Sequence, residues 1–348
     1  MAVSWSWAWG KETAVNLEAN MGWDFLDTST GAGQYDSTTV YTYAGSPTRY
    51  SWAIDDHPFA KIMTLPTEAW VSAGWLCAPF YAAGTLNNEI IFVVKGGSSS
   101  NRIYVKHTTG GTGELYVDNV FKANFAGLTA NNWHFLALQY DMSSGTWAGR
   151  VYLNGTAVTG TETDVRIAET TGSYSLYGFT GGVRATYWGG IIVYNSTSDA
   201  GQNPRFVTRI LPNADAATTV GTWTPSSGSD DFAMTNASGA TGFDNATFTQ
   251  ETTPSSADQC VTEVSNVASQ LGIVPPAIDG VTGHTYSSGT GITVNAGVGS
   301  ATTFTAGGNV VPDSADTTYG FATAHEDPAG GGSAWSSGTT VRFRYKVV

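Results

Sequence analysis

One segment near the middle of the chain constrains the fold more than any other. The run 133–140, WHFLALQY, is apolar at nearly every position, which is typical of a central strand covered on both faces. After a short polar loop, the run 147–153, WAGRVYL, alternates in character and predicts a returning strand with a more polar face. Asn154-Gly155 then predicts a type I′ turn, because both central residues of that turn need a positive φ. The segment therefore predicts antiparallel strands joined by tight turns.

The same pattern continues along almost the whole chain of 348 residues. Short runs rich in β-branched and aromatic residues alternate with Gly, Asn, Asp and Ser, which predicts a sandwich or jelly roll. With 12 Trp, 16 Tyr and 15 Phe, the chain has enough apolar material for a full core, so disorder is disfavoured. Residues 11–21 could form one short helix, and residues 258–271 fit either a helix or a strand.

The charge is strongly acidic and unevenly distributed. Lys and Arg number 15 against 28 Asp and Glu, a net charge of −13, and residues 210–341 hold 12 carboxylates but no Lys or Arg. General nucleic-acid binding is excluded, because neutralising phosphates requires clustered cations. An acidic surface opposes adhesion to anionic membranes, and no apolar stretch reaches the ~18 residues of a membrane span. We therefore expect neither nucleic-acid nor membrane partners.

Two segments of the first half resemble a known fold family. The run 131–158, NNWHFLALQYDMSSGTWAGRVYLNGTAV, and the later run YWGGIIVYN are similar to the concanavalin A-like, laminin-G-type jelly roll. In that family a tryptophan strand, a hairpin, a Y-x-N/D-G turn and a late strand ending in Tyr-Asn recur in this order. The resemblance covers about residues 50–195 and implies a lectin-like sandwich there.

Three further segments resemble virion structural proteins of tailed bacteriophages. These are SWSWAWGKETAVNLEANMGWDF, FVTRILPNADAATTVGTWTPSSGSDDFAM and DPAGGGSAWSSGTTVRFRYKVV. Such proteins carry a lectin-like jelly roll followed by a second β domain. The composition of the polar stretch 195–204 is typical of a linker. We therefore expect an all-β chain: a concanavalin A-like jelly roll over residues 1–200, followed by a smaller sandwich-type β domain over residues 201–348.

The virion resemblance implies a non-enzymatic structural protein on the outer surface of a tailed-phage particle, assembled in the host cytoplasm. We favour capsid decoration over a tail fibre or tail-tip subunit for host attachment, because the chain lacks a coiled-coil or repeat shaft. The implied partners are sister copies in a homo-oligomer, other capsid or tail proteins and surface glycans. The competing class is a carbohydrate-binding module or a glycoside hydrolase. Such a protein would be expected to carry a secretory leader, and none is visible in the opening residues.

A search for catalytic and metal-binding patterns is largely negative. Retaining glycosidases need two carboxyl groups about 5–5.5 Å apart. Glu162 and Asp164 alternate along one stretch and share a face, whereas Asp55 and Asp56 are adjacent and point to opposite faces. Because neither pair has an aromatic cradle in the sequence, we predict that the chain is not an enzyme. Because no ligand pattern at metal spacing is present, we also predict no metal and no cofactor. A structural calcium ion held by loop carboxylates such as Asp141 or Asp164 has no supporting ligand spacing.

Aromatic residues supply the candidate binding sites. Near the N-terminus three tryptophans at alternating positions would share one face of a strand, either as core or as an anchor between subunits: Trp5, Trp7 and Trp9. Three others are candidates for stacking against sugars: Trp52, Trp70 and Trp188.

The C-terminal strand predicts a second candidate interface. Three cations share one of its faces: Arg342, Arg344 and Lys346. They fit either an edge strand whose charges discourage unwanted pairing, or electrostatic docking against an acidic neighbour. We favour the edge strand.

Overall fold

The computed structural model divides the chain into two compact units, each of them built from strands. It describes residues 3–7, 24–26, 34–36, 51–54, 62–84, 88–97, 101–177, 186–198, 203–205, 207, 210–226, 228, 249–271, 278–287, 289, 291–312, 318–331, 333–336 and 338–348. The helix expected over residues 11–21 lies outside the described residues, as do Trp9, Asp55 and Asp56.

Within the described residues, the first unit contains seventeen strands and one short 3₁₀ turn at Thr67–Ala69. In chain order the strands are β1 (Val3–Trp7), β2 (Asp24–Leu26), β3 (Gln34–Asp36), β4 (Ser51–Ile54), β5 (Ile62–Thr64), β6 (Ala73–Ala82), β7 (Glu89–Gly96), β8 (Arg102–Thr108), β9 (Thr112–Val117), β10 (Val120–Ala126), β11 (Trp133–Asp141), β12 (Thr146–Leu153), β13 (Thr156–Ala157), β14 (Glu162–Val165), β15 (Gly172–Tyr177), β16 (Thr186–Trp188) and β17 (Ile191–Tyr194).

These strands form two antiparallel sheets. Sheet A has the order β13-β12-β11-β6-β16-β4-β3, with β14 paired to β12, and with β17 paired to both β6 and β1. Sheet B has the order β10-β9-β8-β7-β15-β5-β2. The prediction of a lectin-like jelly-roll sandwich is therefore confirmed for this unit.

Aromatic rings from both sheets fill the space between them. The ring of Trp188 from sheet A stacks on Phe92 from sheet B, with centroids 5.6 Å apart, and contacts Phe80 at 4.8 Å. The hairpin expected at the end of β12 is present, with φ of 51° at Asn154 and 86° at Gly155. The central strand predicted from WHFLALQY is β11, which lies between β12 and β6.

The second unit contains β18 (Ala214–Asp215), β19 (Trp223–Pro225), β20 (Thr249–Glu251), β21 (Gln259–Val264), helix α1 (Val267–Leu271), β22 (Val281–Ser287), β23 (Val294–Ser300), β24 (Thr303–Val310), β25 (Thr318–Ala324) and β26 (Val341–Val347). One sheet has the order β18-β21-β26-β23-β24, and β19-β20 and β22-β25 form two-stranded sheets. The ambiguous stretch 258–271 thus contains both a strand and a helix.

Small aliphatic residues and one tryptophan form the core of the second unit. Val264, Val298 and Val341 are fully or almost fully buried beside Trp335. The indole N–H of Trp335 donates to the carbonyl of Ala324 at 3.0 Å, which satisfies its buried polar group. No helix among the described residues has the length and the apolar character that crossing a membrane requires.

Candidate functional site

Three aromatic side chains lie side by side on the outer face of sheet A. Trp133 of β11 is directly opposite Tyr81 of β6, and Tyr81 is directly opposite Tyr187 of β16. The ring centroids of Trp133 and Tyr81 are 5.5 Å apart, and those of Tyr81 and Tyr187 are 5.6 Å apart. All three side chains are half-buried, so part of each ring faces solvent. We call Trp133, Tyr81 and Tyr187 the aromatic row.

The alternation of the strands explains why this row faces outward. The neighbours in sequence, Phe80, His134 and Trp188, are buried and point towards sheet B. Because successive side chains of a strand point to opposite faces, residues 81, 133 and 187 must point away from it. Flat rings with exposed faces are surfaces on which apolar faces of ligands can stack.

Part of this outer face is covered by the chain itself. Trp75, Phe135 and Ile192 belong to a buried cluster against which Val207 packs. The indole N–H of Trp75 donates to the carbonyl of Ser198 at 3.0 Å, which fixes the covering segment. The aromatic row is therefore a half-exposed part of a face that is buried around Trp75 and Phe135.

A loop with two asparagines follows β10 and precedes Trp133. Asn131 and Asn132 are exposed, and the side-chain oxygen of Asn131 accepts a hydrogen bond from the backbone of Gly84 at 3.0 Å. Two buried histidines hold the base of this loop: His107 Nε2 donates to the carbonyl of Leu128 and His134 Nε2 to that of Thr129, both at 2.9 Å. Exposed amide groups beside exposed rings can bind polar and apolar parts of one ligand.

The buried His107 at the base of this loop makes the stability of the chain depend on pH. Burial lowers the pKa of His107, against the opposing effect of its bond to Leu128, and the charge of His134 lowers it further. Below pH ~6.5 the unfolded chain therefore takes up a proton more readily than the folded chain, so acidification favours unfolding. We expect the urea midpoint to fall between pH 7 and pH 5, and to fall less in His107→Gln. An equal fall in both proteins would show that His107 does not contribute.

The tryptophans proposed from sequence for sugar stacking do not form this site. Trp188 is fully buried between the sheets, so the prediction that it stacks against sugars is wrong. The ring of Trp70 packs against those of Tyr174 and Tyr140, with centroids 5.3 and 6.1 Å away. It is therefore part of the core at that end of the sandwich. Trp52 lies in β4, but its side chain is outside the described part of the chain.

The two N-terminal tryptophans that the structure describes belong to the core. Trp5 is 0% exposed and Trp7 is 2% exposed, and their rings stack with centroids 6.3 Å apart. Strand β1 pairs with β17, which buries this face within the first unit. Of the two roles predicted for Trp5 and Trp7, the anchor between subunits is therefore wrong, because a side chain buried in its own unit cannot anchor another subunit.

The C-terminal cations lie on a central strand, which corrects the edge-strand interpretation. Strand β26 pairs with β21 on one side and with β23 on the other. Arg342 Nε donates to the carboxylate of Glu263 at 2.9 Å, so its charge is paired within the chain. The guanidinium of Arg344 lies 4.7 Å from the ring centroid of Phe304, and burial lowers its pKa. Lys346 is half-buried, and its docking role stays a prediction.

The outer face of sheet B carries a second aromatic group, surrounded by cations. Tyr104 and Tyr116 stack almost parallel, with centroids 4.5 Å apart. Arg102 lies over Tyr104 at 5.3 Å, and the ammonium of Lys106 lies 5.9 Å from the centroid of Tyr116. We call these four residues, together with Lys95 opposite Arg102, the tyrosine face.

The phenols of the tyrosine face are held in the neutral form. Burial raises the pKa of Tyr116 to about 12, and its hydrogen bond to Glu114 and the charge of that carboxylate add to the rise. Burial also raises the pKa of Tyr104, while Arg102 opposes this. The positive charge of the face is therefore not neutralised by ionised tyrosine at ordinary pH.

The carboxylates considered for catalysis lie on β14, which pairs with β12. Glu162 and Asp164 are both half-buried, in agreement with their predicted common face. The ammonium of Lys122 is 3.0 Å from Asp164, and its hydrogen bond keeps the pKa of that carboxyl below the usual range. Asp164 is thus a poor proton donor at neutral pH. Within the described residues no group of three or more His, Cys, Asp or Glu could hold a metal ion.

Comparison with known proteins gives likeness of fold only. No protein-family model matches the chain. No curated protein matches it either. A sialidase from Trypanosoma rangeli is 8% identical with a TM-score of 0.36, over 45% of this chain and 27% of the sialidase. Cellulose induced protein Cip1 is 11% identical with a TM-score of 0.36, over 50% of this chain and 91% of that protein. The Crh5 transglycosylase is 11% identical with a TM-score of 0.33, over 55% of this chain and 89% of the enzyme.

The comparisons overturn the prediction that the chain is not an enzyme. A sialidase and a transglycosylase are among the structures that match this chain. The chain spans only 27% of the length of the sialidase, and at these identities the likeness does not extend to activity.

Proposed function

We propose that this chain is a structural protein on the outer surface of a tailed-phage particle, and that its first unit binds surface glycans through the aromatic row. The virion role rests on the three sequence segments that resemble phage structural proteins. The glycan-binding role rests on one observation: Trp133, Tyr81 and Tyr187 form a contiguous, half-exposed row on the outer face of sheet A.

The chemistry of the row suits a neutral sugar. The C–H faces of a pyranose ring are apolar, so they can stack on aromatic rings, while its hydroxyls need donors and acceptors at the rim. Asn131 and Asn132 offer exposed amides in the loop that leads to Trp133. Because the row spans three neighbouring strands ~4.8 Å apart, it is long enough for more than one sugar ring.

The glycan-binding proposal predicts a large effect of one substitution. We expect Trp133→Ala to weaken binding to neutral oligosaccharides on a glycan array about tenfold or more, because the loss of one ring contact of ~1.4 kcal/mol has that effect. The matched control is Trp223→Ala, which removes a half-buried tryptophan from the second unit. It should bind as the unchanged chain does. If the unchanged chain binds no glycan, or if Trp133→Ala binds equally well, the proposal is wrong.

The virion proposal is tested separately by labelling. Gold-labelled antibody against this chain should decorate phage particles from its source lysate in electron micrographs. Label over heads supports capsid decoration, and label on tails supports the alternative role in host attachment. If all antigen is soluble and no particle carries label, the virion role is overturned.

A further inference from the structure

The tyrosine face carries three cations against one carboxylate, that of Glu114, which is directly opposite Lys106 and accepts a hydrogen bond from Tyr116. Lys95 and Arg102 are directly opposite each other on β7 and β8, and Lys106 lies two residues further along the same face of β8 after Tyr104. Within the described residues none of these three cations has a carboxylate at ion-pair distance. Like charges that face each other across two strands lower the stability of a sheet.

Other cations of the chain contrast with these three. Lys122 pairs with Asp164 at 3.0 Å, Arg166 pairs with Asp118, and Arg342 pairs with Glu263. Arg344 and Lys346 in the second unit also lack an ion pair within the described residues. On the tyrosine face, however, three such cations lie close together, although the chain as a whole has a net charge of −13.

The face also has the composition of a protein interface. Tyrosine and arginine are enriched where proteins associate, because they combine a large apolar contact area with polar groups. Tyr116 contacts Phe121 edge-on at 5.8 Å, and the side chain of Phe121 is 46% exposed. Aromatic contact area thus continues from the stacked tyrosines to the sheet edge.

We propose that the tyrosine face docks the acidic second unit of another copy of this chain. Charge complementarity favours this occupant, because residues 210–341 contain 12 carboxylates and no Lys or Arg. Contacts between different surfaces of identical subunits generate rings or extended arrays, as a protein that coats a larger surface requires. This inference does not depend on glycan binding, which uses the opposite sheet.

Analytical ultracentrifugation of the full chain at two salt concentrations tests the docking. Between 0.1 M and 1 M salt the screening length falls from ~10 Å to ~3 Å, so we expect self-association at the lower concentration and its loss at the higher. A monomer under both conditions overturns the proposal. So does a monomer that instead binds a sulfated polysaccharide, because the face would then serve an anionic glycan.

A charge reversal separates docking from folding. The Lys95 ammonium makes no hydrogen bond or ion pair within the described part of the chain, so Lys95→Glu breaks neither. It places a carboxylate opposite Arg102, which should leave the unfolding temperature unchanged or raise it. The dissociation constant for self-association should nevertheless rise about tenfold or more.

The matched control is a cation over another tyrosine. Arg150 lies 4.9 Å from the ring centroid of Tyr152 in sheet A, and Arg150→Gln should leave self-association unchanged. If Lys95→Glu associates as the unchanged chain does, or if Arg150→Gln disrupts association equally, the tyrosine face is not the docking surface.

Discussion

Trp188→Ala is expected to destabilise the first unit by about 3–5 kcal/mol, the range for deleting a buried tryptophan side chain. The indole is fully buried and contacts aromatic rings of both sheets, Phe80 at 4.8 Å and Phe92 at 5.6 Å. Its removal leaves a cavity at the centre of the sandwich that neighbouring strands cannot fill without breaking their pairing. Urea denaturation followed by circular dichroism measures the loss.

Trp133→Ala provides the comparison for this experiment. Trp133 lies in the same sheet but on its outer face and is half-buried, so its loss should cost no more than about 1–2 kcal/mol. Equal destabilisation by the two substitutions would mean that the outer face packs as tightly as the core, and the aromatic row could not then be a ligand surface.

Gly307→Ala should be severely destabilising to the second unit, by about 3 kcal/mol or more. A methyl group at residue 307 would lie 1.8 Å from the carbonyl oxygen of Phe321 and 2.8 Å from its carbonyl carbon. Both atoms belong to the backbone of β25, so the clash cannot be relieved by a side-chain rotation, and overpacking against backbone is costly. Hydrogen exchange of β24 and β25 should report the loss of protection.

The adjacent glycine is a control of the same size and in the same strand. A methyl group at Gly308 would meet no atom within 4 Å, and neither glycine has a positive φ. Gly308→Ala should therefore change the free energy of unfolding by no more than about 0.5 kcal/mol, or stabilise slightly by restricting the unfolded chain. Similar effects of both substitutions would contradict the close approach of β24 to β25.

The sequence predicted local structure better than it predicted the site. Asn154-Gly155 carries its own turn signal, and the apolar run around Phe135 identifies a central strand without further information. The aromatic row joins residues 81, 133 and 187, which become neighbours only through the register of three strands. Alternation shows that Tyr187 and Trp188 face opposite sides, but no local signal shows which of them faces the core.

The C-terminal strand illustrates a similar limit. Alternating cations and apolar residues in β26 fit an edge strand as well as a central one, because the pattern reports the two faces of a strand and not its two edges. Strand β26 lies in the centre because it pairs with β21 and β23, which are both distant from it in sequence. Arg342 and Glu263, for example, are 79 positions apart.

The central position of β26 has a consequence for biosynthesis. While β26 is still inside the ribosome, β21 and β23 have been released but lack the strand that separates them in the finished sheet. Each then presents an open row of backbone donors and acceptors, which is a template for pairing with other chains. Nascent chains are therefore most prone to aggregate just before β26 emerges, and chaperone demand should peak at that stage of translation.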